Sequence, residues 1–150
     1  MCERIERMDP DADLIVTFGG TNDFECGVAL GMPGDRTEDT FYGACYSMLQ
    51  KLHERFPGKS IVVVTPLHRR GEDQLGQNGR VHVVPLCDYV AALRKMAETF
   101  GCPIIDLYTI EDFCTKQLGM GEVLTGDGLH PNDEGYSIIF EKIDEALSRL

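Results

Sequence analysis

The stretch LIVTFGGTND, residues 14–23, decides how the chain is read. Its first half, Leu14 to Phe18, is continuously apolar rather than alternating, as expected of a strand in a parallel sheet covered on both faces. Its second half, Gly19 to Asp23, is a glycine-rich turn that lets backbone approach a ligand closely. Open parallel sheets bind ligands beyond the carboxyl ends of their strands, and this turn lies at such an end. Two more runs of the same kind follow, SIVVVT at 60–65 and PIIDL at 103–107.

Helical patterns separate these runs. Phe41, Cys45, Met48, Leu52 and Phe56 recur at steps of three and four and so share one stripe, which Pro57-Gly58 ends. Leu86, Val90, Leu93, Met96 and Phe100 form a second stripe, closed by Gly101 in the usual position after a helix. A third runs through Tyr136, Ile139, Phe140, Ile143, Leu147 and Leu150. Pro131 and Asn132 mark its start, and Asp133 and Glu134 place negative charge in its first turn, where the helix dipole favours it. The order strand, helix, strand, helix, strand, helix predicts an α/β fold with a parallel sheet. With 150 residues and 43% hydrophobic content, residues 1–150 read as belonging to a single domain.

Fourteen Lys and Arg against 25 Asp and Glu give a formal charge of -11, which opposes binding to nucleic acid or to anionic membranes. No run approaches the roughly 20 apolar residues of a membrane span, and the charged N-terminus does not read as a signal peptide. The six cysteines (Cys2, Cys26, Cys45, Cys87, Cys102 and Cys114) contain no C-x-x-C pair, and several fall on helical or strand patterns. They read as buried free thiols in a reducing cytoplasm. No calcium-loop pattern is present, and GDGLH at 126–130 matches no ligand spacing, so no metal site is expected.

The segment that follows the third strand run ends in TGDGLHPNDEGY, residues 125–136, where Asp127 stands three residues before His130. In so acidic a chain that spacing alone decides nothing. Its weight comes from the turn after the first strand, where Asn22 presents a neutral amide donor. Together Gly20-Thr21-Asn22-Asp23 and Asp127-Gly-Leu-His130-Pro resemble blocks III and V of the SGNH, or GDSL-type, esterases and lipases, in the family's order. TPLHR at 65–69 and PNDEGY at 131–136 are similar to that family too, and the resemblance runs from Asp13 onward.

The resemblance implies a three-layer α/β/α, flavodoxin-like fold and ester hydrolysis by a serine mechanism on small acyl esters or acetylated carbohydrates, with no cofactor. It implies that His130 is the general base and Asp127 its orienting acid, and that Asn22 is an oxyanion donor. Gly20 and Asp23 would support the loop, Asp23 through backbone hydrogen bonds. The residues depart from the family in lacking blocks I and II, and no Gly-Asp-Ser occurs. Ser47, Ser60, Ser137 and Ser148 fall in helical patterns or at a strand start. Two expectations follow: residues 1–150 are the C-terminal portion of a domain whose N-terminal strands lie elsewhere, or the chain is a noncatalytic ligand- or carbohydrate-binding relative, or one with Thr21 or Cys26 as substitute nucleophile. The first favours inactivity alone and association with the absent segment or with another copy, since the first strand would expose an edge.

The basic concentration His68, Arg69, Arg70, Arg80 and His82 reads as a solvated surface loop, with reception of an anionic part of a substrate as the alternative. His53 reads as an exposed charge partner at a helix C-terminus.

Overall fold

The computed structural model describes residues 2–73, 84–114 and 120–150. Arg80 and His82 lie outside them. Three parallel strands, β1 (Leu14–Phe18), β2 (Ser60–Val64) and β3 (Ile104–Ile105), pair in the order β1-β2-β3. Leu14 stands opposite Ser60, Phe18 opposite Val64, and Val64 opposite Ile105, so the carboxyl ends of the three strands lie level with one another.

The helices divide between the two faces of the sheet. Helices α1 (Cys2–Ile5), α2 (Thr21–Glu25), α3 (Phe41–Arg55) and α4 (Leu86–Phe100) contribute to a core with Ile15, Ile61 and Val63. On the other face, α5 (Met120–Thr125) and α6 (Asp133–Leu147) supply Leu124 and Ile139 to a second core with Val62, Val64 and Ile105. This is the expected three-layer arrangement. Each core side chain of the size of Leu93 or Leu107 would cost about 2–5 kcal/mol if cut back to alanine.

Local chemistry fixes the helix ends. Thr40 caps α3 by accepting from the Gly43 N–H. Gly101, at φ 66, closes α4 in the left-handed conformation as the Cys102 N–H turns back to the Ala97 carbonyl. Asn132 caps α6 by accepting from the Gly135 N–H at 3.0 Å. At the centre of the first core Tyr89 is fully buried, and its hydroxyl donates to the Val28 carbonyl while its ring meets Phe24 and Phe41 edge-on.

Three expectations about burial are corrected. β1 is an edge strand covered on one face only: Ile15 is buried, but Leu14, Val16 and Phe18, at 41, 48 and 57% exposure, lie on the α6 face of the sheet beside Val62 and Val64 and stay uncovered. The apolar stripe of α6 is divided for the same reason. Ile139 is buried, whereas Tyr136, Phe140 and Leu150 face outward. A continuous apolar run specifies a strand but not which of its two faces finds a neighbour. The thiols are also not uniformly buried: Cys45 and Cys102 are, Cys114 is intermediate, and Cys26 and Cys87 are exposed, all five free. No helix among the described residues is long and apolar enough to cross a membrane.

Candidate active site

Between the last turn of α5 and the start of α6 the chain makes a short, heavily bonded loop. Thr125 receives the Asp127 N–H on its carbonyl at 2.7 Å and the Gly128 N–H on its hydroxyl oxygen at 2.9 Å. Gly126 and Gly128 take positive φ, 66 and 81°, which L side chains rarely adopt. The result aims Asp127 at the residues that follow it. One carboxylate oxygen accepts the backbone N–H groups of Leu129 and His130 at 2.8 and 2.7 Å, and the other lies 2.7 Å from His130 Nδ1. Both side chains are exposed. The hydrogen bond from His130, followed by the two N–H groups, holds the Asp127 carboxyl well below the usual carboxylate range.

With Nδ1 engaged by Asp127, the imidazole leaves Nε2 to act. It borders a cleft of about 300 Å³ at the carboxyl ends of the strands. Asn22 lines the same cleft, as do Thr21, His68, Arg69 and Tyr136. Residues 108 positions apart in sequence (130 minus 22) are thus brought together, because β1 and the entrance to α6 open on the same end of the sheet. Asn22 occupies the first turn of α2, which begins directly after Gly20. Gly20 has φ 106, and a Cβ there would lie 3.2 Å from Pro66 and 3.3 Å from Leu93, so the sharp exit from β1 needs a glycine.

Arg69 anchors α2 to the loop leaving β2. Its guanidinium donates to Glu25 at 2.7 Å and to the Thr21 hydroxyl oxygen at 3.3 Å, over the Phe24 ring. Arg70 donates its backbone N–H to the Gly128 carbonyl. This segment is therefore not the solvated surface loop expected from sequence: His68 and Arg69 form part of the cleft wall. Its placement directly after a strand's carboxyl end was the signal available in sequence. His53 is exposed in the last turn of α3, as expected, and its ring stacks on Phe100 with centroids 5.7 Å apart.

Asp23, placed with the site loop, does not face the cleft. Its carbonyl accepts the Val28 N–H at 3.0 Å, and its side chain borders a separate cavity of about 230 Å³ with Cys45, Met48 and Leu93. There burial, with a contribution from the Asp23 charge, pushes the Cys45 thiol up to about 12.

None of the four serines lines the cleft. Ser47 donates to Glu38, Ser137 and Ser148 donate to carbonyls of α6, and Ser60 opens β2. Thr21 does line it, while Cys26 does not.

The architecture has close counterparts. A crystal structure of a protein from Lactobacillus plantarum is 30% identical and superposes with a TM-score of 0.85 over 99% of this chain and 73% of that one. A possible lipase from Chitinophaga pinensis, 22% identical, superposes at 0.72 over 92% of this chain and 73% of its own, and the lipase/acylhydrolase from Enterococcus faecalis, also 22% identical, at 0.65 over 99% and 69%. No match was found among curated proteins. The model of the GDSL-like lipase/acylhydrolase family matches residues 2–138, nearly the whole chain, and the chain therefore belongs to that family of hydrolases.

Proposed function

We propose that the cleft binds a small acyl ester, such as an acetylated carbohydrate, and that His130 acts there as general base toward an attacking hydroxyl. Asp127 holds the imidazole in the tautomer with Nε2 unprotonated and stabilises the imidazolium that forms. The Asn22 carboxamide donates to the oxyanion of the tetrahedral intermediate, a role whose loss typically costs about a hundredfold or more in rate. The observation that carries this reading is the shared cleft: His130, already bonded through Nδ1 to Asp127 at 2.7 Å, and Asn22 border one cavity. A volume of about 300 Å³ suits a small acyl group better than a long chain.

In this reading the nucleophile is the serine of a Gly-Asp-Ser turn carried by a further strand alongside β1, and residues 1–150 by themselves do not turn over ester. The test is to supply that strand and turn at the N-terminus and measure hydrolysis of p-nitrophenyl acetate. His130→Ala should lower the rate on the order of a thousandfold or more without unfolding the protein, since the side chain is exposed. Unchanged turnover in that variant removes His130 from the mechanism.

The absence of any serine from the cleft favours a second reading, a relative that binds the same ligands without cleaving them. Saturable binding of an acetylated saccharide, with no hydrolysis even when the Gly-Asp-Ser segment is supplied, would decide for it.

A further inference from the structure

Behind the cleft wall, two segments distant in sequence bring together an imidazole, a carboxylate and a thiol. One ligand atom each from His68, Glu72 and Cys114 lie within 4.8 Å of one another. The first two already form a close pair, His68 Nδ1 standing 2.9 and 3.0 Å from the two Glu72 carboxylate oxygens. Glu72 is only 2% exposed, and the His68 side chain 14%. The Tyr108 ring packs on the imidazole at 3.8 Å between centroids, and the Arg69 N–H donates to the carboxylate at 3.1 Å. The cluster is therefore oriented by its neighbours rather than loosely gathered.

We propose that His68, Glu72 and Cys114 bind a divalent transition-metal ion of the zinc class. The donor set is the first reason. Nitrogen, oxygen and sulfur together suit zinc or cobalt, whereas calcium and magnesium take oxygen ligands almost alone. Geometry is the second. Metal bonds of about 2.0–2.3 Å place tetrahedral ligand atoms roughly 3.5 Å apart, so the cluster must contract by about 1 Å. Cys114 can supply that movement, because it follows the short 3-10 turn Glu111–Phe113 in extended conformation.

Binding is an exchange of protons for metal. The ion takes the place of the proton between His68 Nδ1 and Glu72, which moves to Nε2 or to solvent, and the Cys114 thiol releases its proton as the sulfur–metal bond forms. Three protein ligands leave a fourth position for water. Since His68 also lines the cleft, the ion would tie the loop leaving β2 to the segment after β3 and so stiffen one wall of the site.

The test uses the full chain, stripped of metal and titrated with cobalt(II). The expected result is one ion per chain with a thiolate-to-cobalt charge-transfer absorption in the near ultraviolet, which added zinc abolishes. Cys114→Ser should remove that absorption with the circular dichroism unchanged, His68→Gln should weaken binding roughly tenfold or more, and Cys26→Ser with Cys87→Ser should leave both unaltered. No charge-transfer absorption in the parent chain, or one that survives Cys114→Ser, overturns the proposal. Zinc should also raise the unfolding temperature of the parent and not of Cys114→Ser, a comparison that stays informative if the His68 variant folds poorly.

Discussion

Arg70 and Gly128 are joined backbone to backbone, the Arg70 N–H donating to the Gly128 carbonyl at 2.7 Å. That bond fastens the loop leaving β2 to the turn carrying Asp127 and His130, so both walls of the cleft are fixed to one another.

A side chain at position 128 should break this junction. Gly128 has φ 81, and a Cβ on it would lie 2.7 Å from Arg70 Cβ. Gly128→Ala is expected to cost about 1–3 kcal/mol, from backbone strain and from the crowded neighbour. Urea unfolding measures the loss, and the His130 ring signals in NMR should shift with it. A variant as stable as the parent would show that the two loops are not held in register.

Acid should dissolve the dyad in a defined direction. The Asp127 carboxyl is held below its ordinary value in the folded chain, first by the His130 side chain and then by two N–H groups. Its contribution to stability is therefore complete above the unfolded carboxylate range, about pH 4, and is lost as pH falls from there toward the lowered value. Asp127→Asn should be less stable than the parent at neutral pH, and the difference should narrow as pH drops below about 4. Unfolding curves at several pH values check this, and a constant difference would rule out the linkage.

The N-cap of α6 also serves the loop before it. Asn132 accepts from the Gly135 N–H at 3.0 Å and donates its amide to the Val123 carbonyl at 2.6 Å. Asn132→Ala should cost about 1 kcal/mol or somewhat more, and Asn132→Asp, which keeps the acceptor and loses the donor, should fall between. Equal losses in the two variants would mean that the Val123 bond, not the cap, supplies the stability.

Thiol reactivity should follow exposure. Cys26 and Cys87 are accessible, whereas Cys45 is buried with its pKa pushed up to about 12. Alkylation of the folded chain followed by peptide mass spectrometry should mark the first two rapidly and leave Cys45 unmodified until denaturant is added. Prompt labelling of Cys45 would show that the neighbouring cavity opens to solvent.

Much of the scaffold could be read from the chain because its signals are local. Steps of three and four through Phe41, Cys45, Met48 and Leu52 describe a helix wherever it packs, and α3 occupies Phe41–Arg55. Gly101 and Asn132 announce helix ends by the backbone chemistry of a single residue. The pairing of Asp127 with His130 was accessible for the same reason, since one turn of chain holds it. What escaped depends on distant neighbours. Nothing in LIVTF tells that Val16 and Phe18 lack a covering helix, and nothing near Arg69 tells that its guanidinium reaches Glu25. Asp23 shows the limit within one motif: beside Asn22 in sequence, it turns to the other side because α2 begins between the glycine turn and the core.

The bare face of β1 sits on a molecule with a formal charge of -11, and these two properties oppose each other in solution. At low ionic strength, like-charged copies repel before Leu14, Val16 and Phe18 can meet; in molar salt the screening length shrinks to about 3 Å and that protection disappears. Sodium chloride, ordinarily added to keep acidic proteins dispersed, should instead drive this one to assemble.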